Sequence, residues 1–283
     1  MLAGQRSRII GLVYPRRQPH LSSHLFLLPM IDGLMAAVEA HKMRLLIDSV
    51  DDTIENAFLN LARAKRIDGL ILIDTPLDEA AVAQFNKDSF PVVTMGYCHP
   101  EISSVDADNH AGVKAAIEHL LAAGHRRIAC ITNSPGTKEQ PNIRLQGYYE
   151  TLAGAGIEID ARLIGDGLYT PESGYAAMQQ LLNVEPLPTA LFVASDVVAF
   201  GAMSAIHERG LSIPRDIAVV GFDDVPLAKF ANPPLTTVKM RAVEMGLQAG
   251  MLLMERILNQ VSVAHMLLPT ELIIRTSSLV RTE

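Results

Sequence analysis

Cysteine, tryptophan and aromatic residues are scarce in this sequence of 283 residues. There is no tryptophan, and aromatic residues make up only 5% of the chain. The core must therefore be built from Leu, Ile, Val, Ala and Met. The two cysteines, Cys98 and Cys130, lie far apart and do not make a disulfide framework of the kind found in small secreted proteins. We expect two reduced thiols in a cytoplasmic protein.

Long apolar runs and catalytic motifs are missing as well. No apolar run approaches the roughly 20 residues of a membrane span, and the N-terminus lacks the apolar segment and cleavage site of a signal peptide. The sequence contains no nucleophile elbow, no phosphate-binding loop and no dinucleotide-binding glycine motif. Metal-ligand pairs of the His-Glu-x-x-His or Cys-x-x-Cys type are absent too. We therefore expect a soluble protein that is not an enzyme and has no cofactor, metal site or membrane partner.

Positive charge is also in short supply. The chain has 24 Lys and Arg against 31 Asp and Glu, which gives a formal net charge of −7. A protein that binds DNA on its own usually carries a basic face that neutralises phosphates. Four arginines near the N-terminus, at positions 6, 8, 16 and 17, form only a weak basic patch. The composition thus argues against DNA binding by this chain alone.

The chain does contain a regular alternation of short β-branched runs and longer helical stretches. The predicted strands are 9–13, 44–47, 69–73, 91–95, 128–132, 163–165, 190–194, 217–222 and 272–275. The predicted helices are 31–38, 53–65, 77–86, 109–123, 143–155, 172–182, 196–209 and 243–258. This alternation predicts an α/β fold with parallel sheets and right-handed crossovers. Because the rhythm restarts after the fourth strand, we expect two lobes with a sheet each.

Polar and aromatic residues follow the predicted strands. In parallel sheets of this kind, ligands bind beyond the carboxyl ends of the strands. Carboxylates accept hydrogen bonds from hydroxyls, arginine donates in a planar fork and tyrosine rings stack on apolar ring faces. The candidate binding residues at these ends are Tyr14, Asp74, Gly96, Arg144, Tyr169, Ser195 and Asp223. They suit a small polyhydroxylated or heterocyclic ligand, although Asp223 could instead cap a turn and Tyr169 could be a packing residue.

Several longer stretches match one family in order and spacing. They are IGLV (10–13), IDGLI (67–71), AAGHRRIA (122–129), RLQGY (144–148), SD followed by AFGAM (195–203), VVGFDD (219–224) and PPLTTV (233–238). Together they cover nearly the whole chain. In these stretches the chain resembles the effector-binding core of LacI/GalR transcription regulators.

The resemblance implies a periplasmic-binding-protein-like fold of type I. Two doubly wound parallel-sheet lobes are joined by three crossovers, and the effector binds between them. The N-terminal lobe would comprise 7–106 plus 238–266, and the C-terminal lobe 107–237 plus 267–283.

The resemblance also implies roles for the candidate residues. Arg144 matches the family's effector-binding arginine, and Asp223 matches the acidic residue that accepts effector hydroxyls. Tyr169 stands where relatives place an aromatic ring against a sugar or base, and Ser195 stands where they have Asn or Ser. On the N-lobe side the resemblance points to Asp74 and to Gly96, a position where many relatives have Asp.

The function that the resemblance implies is an allosteric switch. A small-molecule effector, with a sugar as the leading class and a nucleobase or nucleoside second, would change the affinity of a homodimer for its operator. Interface candidates are the helix 26–40 and the segment 240–254. Operator DNA would be bound only through a helix-turn-helix module, which we expect to be missing here because the first strand starts near residue 8. The alternative is a transport-type solute-binding protein, which would need a signal peptide or lipobox.

Overall fold

The structure, a computed structural model, describes residues 7–15, 25–50, 58–64, 66–133, 142–259 and 262–279. The chain divides into two compact units. Unit 1 comprises Met1–Pro19, Phe26–Ala107 and Arg241–Leu268. Unit 2 comprises Asp108–Met240 and Pro269–Glu283, together with His20–Leu25.

Strands and helices alternate through most of the described chain. In chain order the strands are β1 (Ile9–Pro15), β2 (Arg44–Val50), β3 (Gly69–Ile73), β4 (Val92–Met95), β5 (Ser103–Ala107), β6 (Ile128–Ile131), β7 (Ile164–Gly165), β8 (Ala190–Val193), β9 (Ala218–Asp223), β10 (Thr236–Lys239), β11 (His265–Leu268) and β12 (Glu271–Ile273). The α-helices are α1 (Leu27–Ala40), α2 (Leu59–Arg63), α3 (Glu79–Lys87), α4 (Asn109–Ala122), α5 (Ile143–Gly154), α6 (Pro171–Leu181), α7 (Asp196–Glu208) and α8 (Ala242–Asn259).

Unit 1 contains a parallel sheet whose strand order is β11-β5-β4-β3-β1-β2. Every residue of the central strand β3 is buried, as expected when helices cover both faces of a parallel sheet. Helices α1 and α8 pack so closely that a Cβ at Gly33 would collide with the carbonyl oxygen of Val243, and one at Gly246 with that of Met30. Glycine at these two positions therefore allows the helix backbones to touch.

Unit 2 contains a second sheet, with the order β12-β10-β9-β8-β6-β7. Its strands are parallel apart from β12, which pairs antiparallel with β10. The core on the two faces of this sheet is aliphatic with a few aromatic rings. Phe192 on β8 and Phe222 on β9 meet edge to face, with ring centroids 6.5 Å apart. The predicted α/β class with two largely parallel sheets is confirmed.

Each sheet reverses its strand order once, at the second strand from one edge. In unit 1, β2 and β3 lie on opposite sides of β1, and in unit 2, β7 and β8 lie on opposite sides of β6. The loops that follow the flanking strands diverge at such a point and leave room for a ligand. The described residues that follow β3, β6 and β8 therefore stand where this class of fold binds small molecules.

Three strands were not predicted. β5 reads Ser-Ser-Val-Asp-Ala and lacks an apolar run, yet its Ser103 and Ser104 are buried because β4 and β11 flank it. β10 and β11 have only four residues each, too few to show a period. These strands form through pairing within a sheet, which local sequence does not reveal.

The boundaries of other predicted elements shift slightly. The predicted strand 272–275 is Glu271–Ile273 in the structure. Of the predicted helix 53–65, the structure has Leu59–Arg63 as helix. Positions 53–57 and 65 lie outside the described residues.

No helix among the described residues is both long and apolar enough to cross a membrane. Within the same residues, no group of three or more His, Cys, Asp and Glu side chains could hold a metal ion.

Candidate functional site

Arg144 lies in the first turn of α5, at the carboxyl ends of the strands of unit 2. The helix is capped by Asn142, the residue before it, whose side-chain oxygen accepts a hydrogen bond of 3.0 Å from the amide of Leu145. The guanidinium of Arg144 is 3.9 Å from the centre of the Phe222 ring. A cation over an aromatic face is electrostatically favourable, so the ring of β9 supports the arginine from one side.

The edge of the same guanidinium is held by atoms from distant parts of unit 2. Nε donates to Oδ1 of Asn109 at 2.9 Å, and Nη1 donates to the carbonyl oxygen of Ala194 at 2.5 Å. Nη2 lies 3.1 Å from the sulfur of Met240. The side chain is only 13% exposed. Arg144 is thus held in one place by α4 and by the residues that directly follow β8 and β10.

Asp223 ends β9 and forms an ion pair with this arginine. Nη1 of Arg144 donates to its Oδ1 at 3.2 Å, and the hydroxyl of Ser195 donates to its Oδ2 at 3.1 Å. Burial raises the pKa of the Asp223 carboxyl to about 6, although Arg144 and Ser195 act in the opposite direction. Its φ of 118° lies in the region that favours glycine. A buried carboxylate with a strained backbone is unusual enough to mark a functional position.

A second carboxyl group lies behind this one. Asp196 opens α7 and is fully buried. Its oxygens accept hydrogen bonds from the hydroxyl of Thr237 at 2.6 Å and from the amide of Val225 at 2.9 Å. Burial and the nearby Asp223 raise its pKa well above the usual range. Because Asp196 connects β10 to the loop after β9, we interpret it as the group that holds this loop, and with it Asp223, in position.

Tyr169 joins the same neighbourhood through two amide side chains. Nδ2 of Asn133 lies 3.1 Å from the Tyr169 hydroxyl oxygen, and Nδ2 of Asn142 donates to Oδ1 of Asn133 at 3.0 Å. Tyr169 is half-buried and has a φ of 57°. Four of the seven predicted residues therefore lie in unit 2, three in direct contact and Tyr169 through this hydrogen-bonded chain.

The other three predicted residues belong to unit 1. Tyr14 is near the end of β1, in register with Ser49 of β2. Asp74 follows β3, and Gly96 follows β4 with a φ of 75°. A Cβ at Gly96 would collide with Oδ1 of Asp74. The carboxylate of Asp74 thus occupies the space that an Asp side chain at position 96 would enter, which gives a physical reason for the departure from the family pattern.

Sequence reasoning missed most of the residues that hold Arg144. Asn109, Phe222 and Met240 were not proposed as part of the site, because each comes from a different element that only the folded sheet brings near Arg144. One feature of the sequence could have indicated that Arg144 has several such partners. A guanidinium has five N–H donors, so an arginine placed at a strand end must find several acceptors among neighbouring strand ends.

The site can bind hydroxyl groups. An ionised carboxylate offers about four lone-pair sites, so Asp223 can accept ligand hydroxyls in addition to the donors that already hold it. The guanidinium of Arg144 beside it is a donor to oxygen acceptors.

Comparison with known proteins shows close relatives. Residues 117–278 match the family described as a periplasmic binding protein-like domain. The chain is 38% identical over 229 residues to the transcriptional repressor CytR of Escherichia coli K12, an alignment that covers 79% of this chain and 66% of that repressor. It is 31% identical over 282 residues to the transcriptional regulator CelR of Thermobifida fusca, which covers 98% and 83%. The chain thus spans just under two thirds of the length of CytR.

Solved structures show the same similarity. The complex of the regulator CelR with cellobiose superposes with a TM-score of 0.86 at 31% identity, and covers 97% of this chain and 85% of that one. The lac repressor dimer bound to operator and the anti-inducer ONPF gives a TM-score of 0.84 at 29% identity, with 99% and 96% covered.

Proposed function

The chain belongs to the LacI/GalR family of transcriptional regulators, and on that premise we propose that its strand-end site binds a small-molecule effector that switches the operator affinity of the whole regulator. Fold alone would not identify a ligand site. The observation that carries the proposal is the buried carboxylate of Asp223, held between Arg144 and Ser195 at the carboxyl ends of β8 and β9.

The effector proposed is a sugar. Vicinal hydroxyls can donate to Asp223 and accept from Arg144, while the ring of Tyr169 packs on the apolar face of the sugar. The relative CelR was solved with cellobiose, which supports this class. Tyr14, Asp74 and Gly96 in unit 1 stay predicted contributors to effector binding.

We further propose that the regulator acts as a homodimer in the cytoplasm and reaches operator DNA through a separate DNA-binding module. The lac repressor structure is a dimer bound to operator, which supports this arrangement. The effector can change operator affinity only as far as it binds the two states of the regulator with different affinity. The relatives are transcriptional regulators rather than enzymes, so we expect binding without turnover.

The test is a thermal-shift and calorimetry screen with cellobiose, other disaccharides, monosaccharides, sugar phosphates, nucleobases and nucleosides. An effector at a hundredfold over its Kd stabilises the folded chain by about 2.7 kcal/mol. We expect at least one sugar to bind, and Asp223→Asn and Arg144→Gln to weaken its affinity by about tenfold or more.

The control is Arg215→Gln. Arg215 is also an arginine of unit 2 that pairs with a carboxylate, but its side chain is 78% exposed. It should bind the sugar like the wild type. If no compound in the panel binds, or if the Asp223 and Arg144 variants bind as well as the wild type, the proposed site is wrong.

A further inference from the structure

A cysteine, a histidine and a serine meet in unit 1, apart from the residues discussed so far. Sγ of Cys98 is 3.6 Å from Nδ1 of His265, and the hydroxyl oxygen of Ser104 is 2.9 Å from the same nitrogen and 3.6 Å from the sulfur. The three polar atoms form a closed triangle. Cys98 and His265 are exposed, while Ser104 is buried.

The sheet of unit 1 fixes this arrangement. His265 on β11 and Ser104 on β5 are partners in the parallel register of the two strands. Cys98 lies in the short connection between β4 and β5, which is closed by a bridge between His99 and Ile102. Two adjacent strands and the tight connection beside them therefore hold the triangle together.

From this geometry we propose that Cys98 is a modification site, a nucleophilic thiol that uses His265 as its proton acceptor and reacts with hydroperoxides. The thiolate is the nucleophilic form of cysteine, and a base within hydrogen-bond reach is the usual means of activating a thiol. Once the proton has moved to Nδ1, both the imidazolium and the Ser104 hydroxyl can donate to the sulfur.

The reaction is a two-electron oxidation. The sulfur attacks one oxygen of the peroxide, so that an S–O bond forms and the O–O bond breaks. The sulfur is oxidised to a sulfenic acid, and the peroxide is reduced. The leaving oxygen takes the proton that His265 received, which gives water from hydrogen peroxide or an alcohol from an organic hydroperoxide. A sulfenic acid is reduced back through a disulfide with a second thiol, so the modification is reversible.

Neighbouring charged groups are already engaged elsewhere. The imidazole of His99 lies 3.5 Å from the carboxylate of Glu79 and accepts from the amide of Glu101. Arg256 donates to the hydroxyl of Ser103 at 3.3 Å. Among the described residues, His265 is therefore the basic side chain that contacts the sulfur of Cys98.

The chain contains its own reference thiol. Cys130 is fully buried in β6, and burial raises its pKa. Cys130 should not react in the folded protein, so its labelling would report unfolding. Mass spectrometry shows which of the two cysteines carries the label.

The experiment measures the rate of alkylation of Cys98 by iodoacetamide, and sulfenic acid formation with hydrogen peroxide trapped by dimedone. The wild type is compared with His265→Gln and His265→Asn, and with His207→Gln as the control, since His207 is an exposed histidine on α7. At pH 7 we expect both His265 variants to react at least about tenfold more slowly than the wild type and the control. At pH 10 the rates should converge, because thiols ionise there without a base.

Equal rates at pH 7 in the wild type and both His265 variants would overturn the proposal, as would labelling of Cys130 in place of Cys98 in the wild type. Labelling of Cys130 would show that a His265 variant has not folded. The comparison with the wild type is then made with the other His265 variant. The proposal does not depend on effector binding at Asp223, so the two can fail separately.

Discussion

At the scale of single residues, the carboxyl group of Asp223 makes stability depend on pH. Its pKa is raised from 3.8 to about 6 in the folded chain. A folded state that binds a proton more tightly than the unfolded state is favoured at low pH. The contribution of Asp223 is therefore complete below about pH 4 and is lost as the pH rises through 6.

We expect the free energy of unfolding to lose roughly 1–3 kcal/mol from this group between pH 4 and 7, since one pKa unit corresponds to about 1.4 kcal/mol. Urea denaturation at several pH values measures it. Asp223→Asn should flatten the curve in this window. Asp216→Asn is the control. Hydrogen bonds to Ser212 and Arg215 lower the pKa of Asp216, so this group changes the free energy of unfolding mainly below pH 4. If the free energy of unfolding of Asp223→Asn falls with pH as steeply as that of the wild type, Asp223 is not the group responsible.

The contact between Asp74 and Gly96 predicts a specific coupling. Gly96→Ala should destabilise the chain by about 1–2 kcal/mol for the positive φ, and further because the new Cβ collides with Oδ1 of Asp74. Asp74→Ala in the same chain removes the collision but leaves the backbone cost. A double-mutant cycle by urea denaturation should therefore show that the double variant is more stable than the sum of the single effects. Strict additivity would mean that the two residues do not touch.

The apolar β-branched runs before Ser195 and Asp223 predict that both lie at strand ends, and in the structure Ser195 follows β8 and Asp223 is the last residue of β9. Arg144 stands instead in the first turn of α5, at the end of the segment that follows β6. That these residues bind an effector stays a prediction. The partners Asn109 and Met240 could not be predicted, because each contact joins segments that are far apart in the chain. A fully buried Asp196 that holds a loop also has no local signature.

At the scale of elements, the contact between α1 and α8 depends on glycine. A side chain at Gly246 would collide with the backbone of α1. We expect Gly246→Ala to destabilise the chain by about 1–3 kcal/mol because the helices must separate. Gly154→Ala is the control, since a Cβ there meets nothing within 4 Å. It should be neutral or stabilise by up to about 1 kcal/mol. Thermal melting of the two variants distinguishes these outcomes, and equal Tm values would contradict the close approach.

Several elements with strong local patterns were predicted to within two residues, but α1 starts four residues before the predicted 31–38, and β2 extends three residues beyond the predicted 44–47. Three strands with weak patterns were missed. β3 is five consecutive buried apolar residues, so its bounds follow from the run itself. Helix α6 starts one residue earlier than predicted because Thr170 caps it and Pro171 is its first residue. The strands β5, β10 and β11 depend instead on neighbours in the sheet, so no pattern within them could indicate their pairing.

At the scale of the whole molecule, the predicted dimer has a candidate surface. Helices α1 and α8, which overlap the predicted interface segments, expose Met35, Val243 and Met251 at 41%, 53% and 43%. We expect Met251→Glu to shift the protein from dimer to monomer in sedimentation velocity, because a buried unpaired charge is costly at an interface. Ile159→Glu, on an exposed residue of unit 2, should leave the oligomeric state unchanged. A wild type that sediments as a monomer would contradict the dimer itself.

The lobe boundaries were placed by resemblance and stay a prediction: 7–106 plus 238–266, and 107–237 plus 267–283. From Phe26 onward the chain changes unit at 107/108, 240/241 and 268/269. Sequence periodicity does not reveal such crossings, because the residue pattern of a strand is the same whichever sheet the strand joins.

The discontinuity of unit 1 has a consequence for synthesis on the ribosome. The buried side of α1, including Leu34 and Val38, is covered by α8, which ends roughly 150 residues after β5. At about 5–20 residues per second, unit 1 must wait about 8–30 s for this helix. The N-terminal part of the chain therefore cannot complete its fold before residues 108–240 of the second unit have been translated. During that interval the apolar side of α1 is open to chaperones, and to the α1 helix of another nascent chain.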